Sequence, residues 1–83
     1  MNLNKTDREI TTYALEDELA GFFVDVENDV SGNGYINFFL YHGSCGIKDL
    51  MFGIPQEDAE DVENFIAANV EDYIESYKEE YML

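Results

Sequence analysis

The sequence predicts a single α+β domain over residues 1–83, with an N-terminal helix, a three-stranded antiparallel sheet and a long C-terminal amphipathic helix packed on that sheet. Three observations carry the expectation. Apolar residues recur at helical spacing through the last third of the chain, the period changes to two between Phe22 and Tyr41, and Asn33-Gly34 sits between two strand-like runs as a hairpin signal. Eighty-three residues suffice for one domain with a small core, since a chain of this size buries only about 60–65% of the surface its unfolded form exposes. With 46% hydrophobic residues, six Phe and six Tyr, the chain can fold without a metal or a disulfide.

The first helix is expected from about Asp7 to Glu18. Thr6-Asp7-Arg8-Glu9 has the form of a capping box, and Ile10, Tyr13 and Ala14 follow at helical spacing. Ile10-Thr11-Thr12-Tyr13 is at the same time a run of good strand formers, so local β-propensity competes with the cap. After Ala20-Gly21, Phe22, Val24 and Val26 alternate with Phe23, Asp25 and Glu27, giving a strand with one buried and one mostly wet face.

Tyr35 to Tyr41 is the second strand. Ile36, Phe38 and Leu40 form one apolar face and Tyr35, Phe39 and Tyr41 the other, which marks a central strand needing cover, or a partner, on each side. Two glycines break the chain at His42-Gly43-Ser44-Cys45-Gly46, and Ile47 to Ile54 reads as the third strand. Pro55 then opens the long helix. At about 100° per residue, Ala59, Val62, Phe65, Ile66, Val70, Tyr73, Ile74, Tyr77 and Tyr81 share one arc about 180° wide, and some 27 residues of this pattern span roughly 40 Å.

The opposite arc of that helix holds Glu57, Glu60, Asp61, Glu71, Asp72, Glu75 and Glu79, with Lys78 as the only base. Nineteen acids against four bases give a net charge of −15, and self-repulsion on that scale costs stability. Such a surface avoids DNA, RNA and anionic membranes, and it attracts basic proteins, cations or a groove that normally holds nucleic acid. Solubility alone is the competing explanation. Tyr77 and Tyr81, with Tyr73, recur every four residues beside the acids, and they are either core residues or contact residues that add area to a charged interface.

Other motifs point to chemistry more weakly. Asp29 to Asn33 with Gly34 and Ile36 follows the start of an EF-hand calcium loop, but Leu40 stands where the bidentate glutamate belongs, so a hairpin turn and no metal site is expected. His42 and Cys45 form a lone pair without further ligands or an orienting group for either zinc or nucleophilic catalysis. No phosphate-cradling glycine loop or nucleophile elbow is present, so no enzymatic activity and no cofactor are expected. Cys45 has no intramolecular partner, Met1 to Glu9 holds no signal-like apolar run, and no stretch reaches 18 apolar residues. A cytoplasmic location away from membranes follows as the expectation.

In size, acidity and helix-sheet-helix order the chain resembles the small acidic DNA-mimic inhibitors of phages and mobile elements, of the anti-CRISPR and antirestriction kind. The resemblance is one of character over the whole chain and rests on no shared motif. It implies a basic nucleic-acid-binding protein as partner, a nuclease or a defence complex, with no direct contact to nucleic acid. An immunity protein or antitoxin against a basic nuclease would use the same chemistry. A homodimeric adaptor, joined through the exposed face of the central strand and acidic only for solubility, is the reading of a different kind.

Overall fold

The computed structural model describes residues 8–29 and 34–83. The calcium-like loop and the Asn33 side of the hairpin signal therefore fall largely outside the described residues, as does the Thr6-Asp7 half of the predicted capping box. Four strands, β1 (Arg8–Ala14), β2 (Phe22–Asp29), β3 (Tyr35–His42) and β4 (Asp49–Pro55), form an antiparallel meander in the order β1-β2-β3-β4. A 3-10 helix, Gln56–Asp61, leads into α1 (Val62–Tyr81), which packs on one side of the sheet.

The first element is thus a strand where helical spacing suggested a helix, and the sheet has four strands where three were expected. The cause is tertiary. Ile10 to Tyr13 are β-branched or aromatic residues with a neighbouring strand to join, and pairing runs from Arg8↔Asp29 to Ala14↔Phe23. Only a three-residue 3-10 turn, Asp17–Leu19, remains of the predicted helix.

Strand period then decides the core. Phe22, Val24 and Val26 of β2 and Ile36, Phe38 and Leu40 of β3 face α1 and are buried. A bulge between Phe38 and Phe39 changes the phase of β4, because Phe38 pairs with Phe52 while Phe39 pairs with Leu50. Met51, the extra residue, is buried, and Phe52 stacks on Phe38 with ring centroids 4.6 Å apart.

From α1 the buried residues are Ile66, Val70, Ile74 and Tyr77, at the i, i+4 and i+3 spacings of one helical stripe. Phe65 and Tyr73 flank that stripe and meet Phe52 from the β4 side, at 6.3 and 5.9 Å. The helix is shorter than the sequence pattern suggests. The segment before it is 3-10, with Asp58 off helical geometry (φ −96°, ψ 15°). Its only apolar residue, Ala59, is exposed, so no apolar side chain there anchors a helix to the sheet, whereas Val62 packs against the core and starts α1.

Candidate functional site

All seven carboxylates of the predicted stripe, Glu57, Glu60, Asp61, Glu71, Asp72, Glu75 and Glu79, are exposed. The change from 3-10 to α geometry between Asp61 and Val62 divides them. Glu57, Glu60 and Asp61 lie on the 3-10 helix, and Glu71, Asp72, Glu75 and Glu79 lie on about the last three turns of α1. Since 3-10 and α geometry advance by different angles per residue, the two groups form adjoining patches and not one straight line.

Neutralisation of these acids is slight. The ion pairs among the described residues, Arg8–Glu27 at 2.7 Å and Lys48–Asp25 at 2.6 Å, both use carboxylates of the sheet. Lys78, the base within the helix, lies with its ammonium 5.9 Å from the Phe22 ring centroid. The outer side of α1 is therefore a negative surface carried on an element pinned at four buried positions.

Tyr77 and Tyr81 take structural positions. Tyr77 is 1% exposed, and its hydroxyl donates to the Ile47 carbonyl at 2.6 Å and accepts the His42 N–H at 3.3 Å. It thereby ties α1 to the end of β3 and to the loop beyond it. Tyr81 is half-buried, rests against Tyr77 with ring centroids 4.5 Å apart, and donates its hydroxyl to Asp49 at 2.6 Å. Tyr73, at the rim, is the one of the three that keeps substantial exposure.

Two acids missing from the predicted site adjoin it. Glu63, in the first turn of α1, and Glu71 border a hollow of about 370 Å³ between α1 and β1, floored by Tyr13, Leu15, Leu19, Ile66 and Val70. Glu80 approaches Asp49, and that contact holds its carboxyl above the usual carboxylate range. On the helical wheel both acids fall inside the apolar arc. Their place there was the sequence signal that the ends and one flank of α1 are not covered by the sheet.

In the His42–Cys45 turn, the imidazole Nδ1 finds its partner within the turn. Ser44 N–H donates to His42 Nδ1 at 3.1 Å, the Ser44 hydroxyl lies 2.7 Å from the same nitrogen, and the His42 ring meets the edge of Phe22 at 4.7 Å. Cys45 is half-buried beside the core. Among the described residues no group of three or more His, Cys, Asp or Glu side chains is arranged to hold a metal ion, and no helix is long and apolar enough to cross a membrane.

No protein-family model matches the chain, no curated protein matches its sequence, and no solved structure matches its fold.

Proposed function

We propose that the protein is an acidic inhibitor that occupies the basic nucleic-acid-binding groove of another protein, a nuclease or a defence complex, in place of nucleic acid, and that it acts in the cytoplasm. The observation that carries the reading is the exposed, unpaired carboxylate surface of α1 on a helix that the core holds in one orientation. Carboxylates one turn apart recur about every 5.4 Å, a spacing comparable with that of backbone phosphates, so arginines that clamp nucleic acid can pair with them. A solubility role alone would not need the acids gathered on the outside of one element. The reading gives no residue a catalytic role and needs no cofactor.

The test is capture of the partner from cells of the source at low and high salt, followed by affinity measurements on the captured protein. Replacing Glu71 and Glu75 and Glu79 with Gln, and Asp72 with Asn, removes four charges without touching the buried stripe. Each desolvated carboxylate–arginine contact is worth roughly 1–3 kcal/mol, so the fourfold variant should lose about two orders of magnitude in affinity or more. Binding should weaken steeply with salt and exclude DNA or RNA from the partner. Equal affinity of wild type and variant, with both folded by circular dichroism, would refute the proposal.

A further inference from the structure

The sheet has a second face that no element among the described residues covers. It carries Phe23 and Tyr41, stacked at 5.3 Å, with Phe39 beside them, and toward the edges Ile10, Leu50 and Tyr35, which are 58, 60 and 49% exposed. Its charges differ from those of the rest of the molecule. Arg8 pairs with Glu27 and Lys48 with Asp25, so two of the four basic residues of the chain are spent on the acids of this one face. A chain of net charge −15 thus presents one aromatic surface on which, among the described side chains, two bases are paired with two acids.

We propose that two copies of this chain pair through these open sheet faces, making a four-layer helix–sheet–sheet–helix dimer. The described charges of the face are already paired with each other, so a strongly basic partner gains less here than on the outer side of α1. A second copy brings the same mixture of rings and internally paired charges, so the two faces can meet about a two-fold axis without opposing like charges in bulk. Face-to-face packing also places the two acidic helices on opposite outer layers. With about 10 Å between packed sheets and about 10 Å from each sheet to its helix, the helices lie about 30 Å apart, several times the screening length of about 8 Å at physiological salt. Repulsion between the copies is smaller there than with either helix turned inward.

The available area sets the strength. Four strands about 4.8 Å apart and seven residues at about 3.3 Å give roughly 440 Å² in plan, and the relief of the side chains raises this to about 600 Å² per copy. About 1,200 Å² in total is the lower end of specific interfaces, which implies a dimer in exchange with monomer, dissociating in the micromolar range. The inference does not depend on the inhibitory reading, because it concerns the other side of the molecule.

Sedimentation equilibrium of the full chain from about 5 to 500 µM, at low and high salt, tests it. The expected result is a monomer–dimer equilibrium that tightens severalfold with salt, as screening lowers the repulsion of the acidic surfaces. The double variant Ile10→Glu with Leu50→Glu, at two exposed positions, should be monomeric throughout with an unchanged circular dichroism spectrum. The fourfold neutral variant of α1 should dimerise at least as well as wild type. A wild type that stays monomeric at 500 µM in high salt, a dimer that loosens with salt, or a dimer that survives the double variant would each overturn the proposal. A monomer that still captures a basic partner through α1 would leave the inhibitory reading standing alone.

Discussion

Lys48 Nζ lies 2.6 Å from Asp25 Oδ2, and the Thr12 hydroxyl donates to the other carboxylate oxygen at 2.7 Å. Asp25 sits in the middle of the open face but is only 4% exposed, because strands on both sides and the Lys48 stem close over it. Burial pushes its pKa up, and the hydrogen bonds from Lys48 and Thr12 with the charge of Lys48 more than offset this, leaving the carboxyl below the usual carboxylate range. Lys48 also lies with its ammonium 5.4 Å from the Tyr41 ring centroid, so one side chain links the loop before β4 to β2 and β3.

Lys48→Met should therefore destabilise the fold by leaving Asp25 charged without its partner. Since Lys48 itself is about half exposed, solvent screening keeps the loss small, and it should read as a fall in Tm of a few degrees. The pH dependence has a definite sign. A carboxyl with a depressed folded pKa contributes stability above its unfolded value, near 3.8, and loses that contribution as pH falls through the folded value. The gap between wild type and variant should be full at pH 7 and close below pH 4, as read from thermal melts across that range. Identical melts at neutral pH would show that solvent already satisfies Asp25.

Tyr77→Phe keeps the ring contact with Phe22 at 6.0 Å and removes only the hydroxyl. The Ile47 carbonyl and the His42 N–H then lose a shared partner, which should cost about 1–2 kcal/mol. The loss should be local as well as global. Amide exchange of Cys45 and Gly46, whose N–H groups bond to the His42 carbonyl at 3.1 and 2.8 Å, should accelerate more than that of β2. Uniform acceleration over the sheet would count against Tyr77 as the pin of this loop.

Gly21 holds φ at +98°, and a Cβ there would stand 2.7 Å from His42 Nε2. Gly21→Ala should thus suffer twice, from the left-handed backbone and from the imidazole, at about 1–3 kcal/mol in total. Adding His42→Ala removes the second cause and leaves the first, so the double variant should lose less than the sum of the two single losses. Strict additivity in denaturant titrations would mean that the ring moves aside at no cost.

These relationships divide according to how far their partners lie apart in sequence. The period-two alternation of Phe22 to Glu27 and Tyr35 to Tyr41 was enough to locate β2 and β3 and to sort their faces, because adjacent side chains report it directly. Ile66, Val70, Ile74 and Tyr77 were legible in the same way from their helical spacing. β1 was not, since the Thr6-x-x-Glu9 cap signal and the strand-forming Ile10 to Tyr13 oppose each other locally, and only pairing with β2 decides between them. The acids of the candidate site were visible as a stripe, but the change from 3-10 to α geometry at Val62 that divides them depends on where the sheet gives the helix something to bury. Lys48 and Asp25 stand 23 positions apart, and nothing near either residue announces the other.

Glu80 gives a pH dependence opposite in sign to that of Asp25. Its carboxyl lies against Asp49, which already accepts the Tyr81 hydroxyl at 2.6 Å, and the hydrogen bond with Asp49 is the first cause that raises its pKa. A raised folded pKa means that the group stabilises the fold fully below its unfolded value, near 4.5, where it is protonated and can donate to Asp49. That contribution disappears as pH rises through the folded value. Glu80→Gln carries an amide donor at every pH and no charge, so the variant should melt higher than wild type at pH 7 and together with it below pH 4. Thermal melts of the two proteins from pH 3 to 7 decide the matter, since an offset that stayed constant with pH could not come from a proton held between Glu80 and Asp49.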